Sequence, residues 1–500
     1  MASDILFIHP GNQKAIYQDL AREFTAVDPP IWALLLAGAL RRKGLDVAIH
    51  DAHIQGWDAD IARDALRRHE PRLAVILVYG HHPSASTQTM PAARAALAAL
   101  KEAAPDLPVA LGGTHPSALP EQTLREEPAD FIVQGEGLHT LLGLAAHYHG
   151  KQRPEDIPGL WRRTENGPAF NGPAPVARKL DEELPEYAWD LLPGLHNYRA
   201  HNWHCFQDFA RSKAPDFSDV RSPYASIYSS LGCPYDCDYC CIHTLTGGKP
   251  GLRPWPIEHV VEVAAHLAQK HGVRNIRLAD ELFVLNPARV ERFCDRMIER
   301  GLDMNFWSYA RVDTIPEALL PKMKKAGLNW LCLGIESANE RVRASVNKML
   351  RRDIVSTVRK IQDHGICIIG NYMFGLPEED AGTMQETLDL ALELNCEFVN
   401  FYTVMAYPGS RLYAQARAAG TVPDRWEAFS QHSFYTQPLP TRRLTGAEVL
   451  AFRDRAFETY FRDARYQAMI RRKFGPAVCA HLEKMLGFKI RRKLLESASA

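Results

Sequence analysis

The chain has 500 residues, more than one compact core holds, so two or three domains are expected. Its 59 Lys+Arg balance 59 Asp+Glu, which argues against a nucleic-acid binder working through a general positive field. Hydrophobic residues at 46% and charged residues at 24% are ordinary globular values and leave little room for long disordered stretches.

The first 150 residues alternate strand and helix. Strands are predicted at Ile5–Ile8, Val47–Ile49, Leu73–Tyr79, Val109–Leu111 and Phe131–Val133. Helices are predicted near Ile31–Arg42, Ile61–His69, Ala92–Ala104 and Leu138–His149. That alternation implies a parallel, doubly wound (Rossmann-like) α/β sheet, with ligands at the carboxyl ends of its strands. Residues 151–222 are rich in Pro and Gly, with Trp161, Trp189 and Trp203 among them and a short strand signal at Gly159–Arg163. They read as a linker that packs, because a free linker would not keep three tryptophans.

From Tyr224 the alternation returns. Strands are predicted at Ala225–Tyr228, Ile276–Leu278, Asn305–Ser308, Trp330–Leu333, Cys367–Met373 and Phe398–Tyr402. Helices follow near Pro256–His271, Pro287–Gly301, Pro316–Ala326, Ile354–His364, Met384–Leu394 and Arg411–Gly420. Six such units over residues 223–420 make a partial TIM-type (β/α)6 barrel, with active residues at the strand ends. Residues 421–500 form a helical tail, basic near its end at Arg471, Arg472, Lys473, Arg491, Arg492 and Lys493; a basic helix face is normally solvated. The longest apolar runs, Ala33–Leu36 and Leu73–Val78, fall far short of the ~20 residues that a membrane span needs. Met1-Ala2-Ser3-Asp4 lacks the basic-then-apolar layout of a signal peptide. A soluble, cytoplasmic protein is expected.

None of the ten cysteines falls in the first 204 residues, and four lie within nine positions. A disulfide framework would spread them; a local cluster reads as metal binding. The cluster is Cys233-Pro234-Tyr235-Asp236-Cys237-Asp238-Tyr239-Cys240, a CxxxCxxC loop just after the first barrel strand. Three thiolates on one short loop suit three irons of a four-iron cluster, leaving the fourth iron open. The alternative is a zinc site completed from elsewhere, for example by His243. Cys241 follows the triad directly, points elsewhere and is read as a bystander. Cys294, Cys332, Cys367 and Cys396 fall in apolar patterns and are read as core.

The triad, with aromatic Tyr239 before its last cysteine, resembles the radical S-adenosylmethionine (SAM) superfamily. The resemblance continues in barrel order: Asp280-Glu281 after the second strand, Arg311 after the third, Gly334-Ile335-Glu336-Ser337 ending the fourth, Asn371-Tyr372-Met373-Phe374-Gly375-Leu376-Pro377 ending the fifth and Tyr407-Pro408-Gly409-Ser410 after the sixth. It implies a [4Fe-4S] cluster on Cys233, Cys237 and Cys240, and SAM contacts at Tyr239, Asp280, Glu281, Ser308, Arg311 and Glu336. It also implies an external electron donor of flavodoxin or ferredoxin type.

In the N-terminal domain, Gly112-Gly113-Thr114-His115 follows the fourth strand and Gly135-Glu136-Gly137 the fifth. Paired glycines let backbone approach a large ligand closely, and alone they suit any nucleotide. Both loops resemble the cobalamin-binding domain that precedes the barrel in one class of radical SAM enzymes. That resemblance implies cobalamin contacts at Pro10, Tyr79, Gly80, His81, Gly112, Gly113, His115, Gly135, Glu136 and Gly137. Asp51-Ala52-His53-Ile54-Gln55-Gly56 matches the DxHxxG string whose His ligates cobalt from below, but it follows the second strand rather than the first. It is read as chance, and the lower face of the cobalt is expected to lack a protein imidazole. Whether His81 reaches cobalt stays open.

The expected reaction is methylation of an unactivated carbon of a small molecule, through a 5′-deoxyadenosyl radical and methylcobalamin. Oxidative cyclisation or ring rearrangement is the alternative from the same parts. A methylthiotransferase would need N-terminal cysteines, and there are none before Cys205. A non-enzymatic corrinoid or iron–sulfur sensor or carrier would not need Asp280, Arg311 and Glu336. The aromatic and histidine stretch Tyr198–His204 reads either as substrate lining or as a packed connector, with the connector favoured.

Overall fold

The computed structural model describes residues 3–11, 13–80, 82–212, 214 and 216–496. Its first sheet runs in the order β2-β1-β3-β4-β5-β6-β7. Strands β1 (Ile5–His9), β2 (Val47–Asp51), β3 (Leu73–Val78), β4 (Val109–Gly113) and β5 (Phe131–Val133) are parallel. The first four are buried along their whole length, as continuous apolar strands under helices on both faces must be.

The helix predicted from Ala92 begins earlier, at Ser86, and runs to Ala103 with Pro91 inside it. Proline reads as a helix breaker, so the sequence pattern placed the start too late.

The sheet does not end where the linker was expected to begin. Strands β6 (Leu160–Thr164) and β7 (Gly167–Phe170) add to it as an antiparallel hairpin. The turn is Glu165-Asn166-Gly167, with Gly167 at φ 99°, a conformation that glycine adopts without strain. Pro168 costs little in β7, because that strand lies at the sheet edge. Trp161 stacks on Phe170 across the hairpin, with ring centroids 4.9 Å apart.

The rest of the linker plugs the barrel from below. Trp203 meets Trp307 at 5.1 Å and Trp330 at 5.4 Å, both near the starts of their strands. His204 and Asn305 exchange hydrogen bonds through their backbone carbonyls at 2.9 and 3.0 Å. The packed-connector reading of this stretch therefore holds, although His201, Asn202 and Trp203 also form the cavity floor.

The second sheet has six parallel strands in sequence order: β8 (Tyr224–Ile227), β9 (Asn275–Leu278), β10 (Asn305–Arg311), β11 (Leu328–Glu336), β12 (Cys367–Phe374) and β13 (Phe398–Thr403). The helix expected over Pro316–Ala326 is split into a 3-10 turn, Glu317–Leu319, and a short helix, Leu320–Lys325.

The tail is helical over Gly446–Arg462, Ala464–Phe474 and Pro476–Gly487, but irregular before Gly446 apart from one turn, Trp426–Phe429. Tyr460 Oη donates to the Cys396 carbonyl at 2.6 Å, and Arg453 Nε to the Phe401 carbonyl at 2.8 Å, so the tail seals the β13 edge. Its basic end is not a solvated face throughout. Arg492 is buried, paired with Asp454 and donating to the Gln431 carbonyl and Thr436 hydroxyl. Among the described residues no helix is long and apolar enough to cross a membrane.

Candidate active site between the two sheets

The cysteine loop is held mainly by its backbone and by carboxylates; of its three thiols, Cys237 makes a long hydrogen bond to the Asn347 carbonyl at 3.8 Å. Asp280 accepts the Ser229 amide and hydroxyl, each at 2.6 Å, and the Ser230 hydroxyl at 2.5 Å. The Asp238 amide donates to Val346 O at 3.1 Å, and Asp238 O accepts the Leu412 amide at 3.0 Å. The Asp238 carboxylate takes Asn347 Nδ2 at 2.7 Å and Arg411 Nη1 at 2.8 Å. Gly232 sits at φ 91° with its Cα against the Gly251 carbonyl, where a Cβ would collide. Cys233, Cys237 and Cys240 are free, partly buried and line one cavity.

Burial pushes the Cys233 thiol up to about 11 and holds the Cys240 thiol well above its ordinary value. A thiolate there needs a compensating cation, which is what a metal cluster provides. His243 Nε2 lies 2.7 Å from the Tyr235 carbonyl, so that nitrogen is already engaged within the loop. Among the described residues no three His, Cys, Asp or Glu side chains converge on one ion. Three thiols facing a cavity rather than a point fit a multi-iron cluster better than zinc. Cys241 is buried and also reaches the cavity wall, its thiol pushed up to about 12 by burial.

The cavity measures about 580 Å³ and lies at the carboxyl ends of the strands of both sheets. Of the expected SAM contacts, Tyr239, Glu281, Arg311 and Glu336 line it. A bulge between Gly334 and Glu336 and a left-handed φ of 68° turn Glu336 inward. Its Oε1 accepts Tyr239 Oη at 3.2 Å and Lys348 Nζ at 3.0 Å. Arg311 lies over the Tyr235 ring at 3.9 Å and pairs with Asp313 at 3.0 Å.

Asp280 and Ser308 are not on the cavity wall. Asp280 is spent on Ser229 and Ser230, and Ser308 alternates with the lumen-facing Trp307 and Tyr309. Sequence reasoning missed Lys348, which lies on a turn 12 residues past Glu336 with no motif to flag it. It also missed Arg277, whose guanidinium sits 5.2 Å from Trp307 and 5.6 Å from Tyr309, with Asp28 at 3.7 Å. Only the two-residue periodicity of lumen positions along β9 could have signalled it.

The first domain contributes the ends of β1, β2 and β3. Tyr79 and Gly80 line the cavity, and Trp32 stacks on Tyr79 at 5.2 Å. His81 lies outside the described residues. His82, next to it, reaches Glu281 at 3.5 Å across the domain boundary. Pro10 contributes its carbonyl to His53 Nε2 at 3.1 Å. His53 also stacks on His9 at 4.9 Å, and its Nδ1 is buried without a hydrogen-bond partner.

The glycine loops end up elsewhere. Gly112, Gly113, His115, Gly135, Glu136 and Gly137 do not line this cavity. Gly113 is at φ 131° with its Cα against the Val78 carbonyl, so neighbouring backbone requires that glycine. His115 meets the Trp426 ring edge-on at 4.6 Å and Thr87 Oγ1 at 3.1 Å, and burial lowers it to about 3. Glu136 pairs with Arg253 from beyond the cysteine loop and accepts the Ala177 amide at 2.9 Å. Thus the barrel and the tail cover the ends of β4 and β5, and leave the ends of β1 to β3 open.

Comparison with known proteins agrees with this division. Residues 17–145 match the B12 binding domain, and residues 227–391 match the radical SAM superfamily. The chain is a cobalamin-binding radical SAM enzyme. This enzyme is 28% identical over 418 residues to an uncharacterized methyltransferase of Pyrococcus horikoshii, covering 83% of each chain. It is 27% identical over 484 residues to the anaerobic magnesium-protoporphyrin IX monomethyl ester cyclase of Rubrivivax gelatinosus, covering 94% of this chain and 79% of the cyclase. Its fold is similar to that of the radical SAM methyltransferase TsrM of Kitasatospora setae, solved with cobalamin and a [4Fe-4S] cluster bound. The TM-score is 0.64 at 20% identity, over 84% of this chain and 75% of TsrM.

Proposed function

We propose that this enzyme moves a methyl group from SAM, by way of cobalamin, to an unactivated carbon of a small molecule. The observation that carries this reading is the shared cavity. The cysteine loop and the ends of β1 to β3 face one chamber, so two cofactors bound there would meet the same substrate. When bound, the cluster would supply the electron that opens SAM, and the cobalamin would carry the methyl group.

In this reading Cys233, Cys237 and Cys240 hold the cluster. Glu336 and Lys348 are a paired carboxylate and ammonium suited to the amine and carboxylate ends of SAM; Tyr239 fixes the Glu336 oxygen between them. Trp32 and Tyr79 offer a stacked apolar face for the corrin. Tyr309, Tyr402 and Asn371 line the lumen where the substrate would lie. Met485, Leu486 and Phe488 of the tail close that chamber and exclude water. The electron comes from an external one-electron carrier of flavodoxin or ferredoxin type.

The cyclase similarity supports a second reading, oxidative ring closure by the same radical. Anaerobic incubation of the loaded enzyme with methyl-deuterated SAM, reductant and host extract separates the two. A product carrying the deuterated methyl group supports methyl transfer. A product two hydrogens lighter, with 5′-deoxyadenosine but no label, overturns it in favour of cyclisation.

A further inference from the structure

The electron reaches the cysteine loop from the side away from the cavity, because the cavity side is where cofactors and substrate would lie. The outer side is crossed by residues 341–352, which follow β11. This stretch carries Arg341, Arg343, Lys348, Arg351 and Arg352 and no acidic residue, in a chain whose total charge is zero. Lys348 and Arg343 turn inward: the first pairs with Glu336, and the second donates to the Ser337 and Ala338 carbonyls. Arg341, Arg351 and Arg352 stay exposed. Arg341 and Arg351 form no ion pair among the described residues. Lys249, exposed beyond Cys233, adds to the same sign.

Among these cations stands Met349, 46% exposed and one of two large apolar side chains left in solvent among the described residues. It is not a loose side chain on a loose loop, because its carbonyl accepts the Arg311 guanidinium. Asn347, two residues before it, has its carbonyl 3.8 Å from Cys237 Sγ. The patch therefore lies two residues along the chain from one whose carbonyl touches a thiol of the triad. The nearby carboxylates do not cancel it. Asp236 and Asp238 are paired with Arg411, Asp353 caps its own helix through the Ser356 amide, and Glu317 pairs with Lys360 at 2.6 Å and more loosely with Arg352 at 3.8 Å; Glu340, at the start of Glu340–Ala344, forms no ion pair among the described residues.

We infer that the surface formed by Arg341, Met349, Arg351 and Arg352 is where a small acidic one-electron carrier docks. This rests on the cluster reading of the triad. An apolar centre ringed by one sign of charge suits a brief, electrostatically steered encounter. One electron leaves the carrier and one enters through the Cys237 side of the loop; no bond forms between the two proteins.

The test uses the reconstituted full chain and flavodoxin as the probe, with wild type, Arg341→Glu/Arg351→Glu and Arg341→Lys/Arg351→Lys. Oxidised flavodoxin is titrated onto each protein, with and without iron, and reduced flavodoxin is mixed with the loaded protein while the iron–sulfur absorbance is followed. The Glu variant should bind and be reduced about tenfold more weakly and slowly at low salt, the Lys variant should match wild type, and raising the salt should slow wild type toward the Glu variant. Dithionite, which needs no docking surface, should reduce all three equally. A Glu variant that binds flavodoxin and is reduced by it like wild type overturns the docking surface. A wild-type chain that takes up no iron overturns the cluster reading instead, and the binding titration still decides the docking surface.

Discussion

The cysteine loop was the strongest motif of the sequence and the paired-glycine loops a weaker one, and the fold treats them in opposite ways. In the cysteine loop, carboxylates, amides and a guanidinium do most of the holding, and the three thiols face a cavity, with a long contact from Cys237 to the Asn347 carbonyl. After β4 and β5, Gly113 is fixed by the Val78 backbone, and Trp426 and the Leu245 carbonyl pack against His115 and Gly135 where a ligand was expected. Reactive side chains that the fold does not need point to chemistry. Glycines do not discriminate, because backbone packing and ligand approach require the same absence of a side chain.

The largest effect that would break this contrast lies in the thiols. Changing Cys233, Cys237 and Cys240 together to Ala should abolish binding of about four irons per chain, read by iron analysis, with the fold intact by circular dichroism. Cys241→Ala should keep the iron. Next comes Gly113→Ala, where a Cβ meets the Val78 backbone at φ 131°. It should cost about 2–4 kcal/mol in urea unfolding, while Gly112→Ala, whose nearest neighbour is a flexible Leu77 methyl at 3.3 Å, should cost about 1 or less. A stable Gly113→Ala protein that only loses cobalamin would restore the ligand role of that loop. Lys348→Met strands the buried Glu336 carboxylate and should cost about 3 kcal/mol, with weaker SAM binding by calorimetry.

The pH dependence is a smaller, distributed effect. Burial lowers His9, His201 and His481 to about 4 and His115 and His204 to about 3. A buried neutral imidazole contributes its stability above its unfolded value of about 6.5, and loses it as pH falls toward the folded value. Glu379 acts the other way. Burial raises it to about 7 against the Gly375 and Leu376 amides, so its contribution fades as pH rises from about 4.5 to 7. Burial also raises Asp208 and Asp280, but five imidazoles outweigh three carboxyls, so the urea midpoint should fall from pH 6.5 to 4.5. A flat midpoint over that range would contradict the burial of these rings.

Strands and helices were legible where apolar runs are long and unbroken, as in β3, expected over Leu73–Tyr79 and found over Leu73–Val78, and in the helix Ile31–Arg42, whose bounds agree with the sequence reading. The β6–β7 hairpin was read only in part: the short signal at Gly159–Arg163 overlaps β6, but β7 gave none, because it is four residues long and half-exposed with Pro168 in it. Glu281 and Asp280 are neighbours in sequence but serve different purposes, one on the cavity wall and the other under the cysteine loop; no motif tells them apart. Lys348, Arg277 and the tail residues reach the cavity through tertiary packing alone. His53 remains the sharpest local case. It lines the cavity with Nε2 at the Pro10 carbonyl and Nδ1 buried without a hydrogen-bond partner; the expectation is that it is not a cobalt ligand, and three-line nitrogen splitting of cob(II)alamin spectra that vanishes in His53→Ala would overturn that.

The central claim is that one chamber receives both the iron–sulfur cluster and cobalamin. The most direct measurement is electron paramagnetic resonance of the chain loaded with both, with the cluster reduced and cobalt as cob(II)alamin. Two paramagnets in one cavity should broaden each other's signals and speed their relaxation, and protein carrying either alone should give the unperturbed spectrum. Co-loaded protein whose two signals simply add, each as sharp as when alone, would contradict the shared chamber.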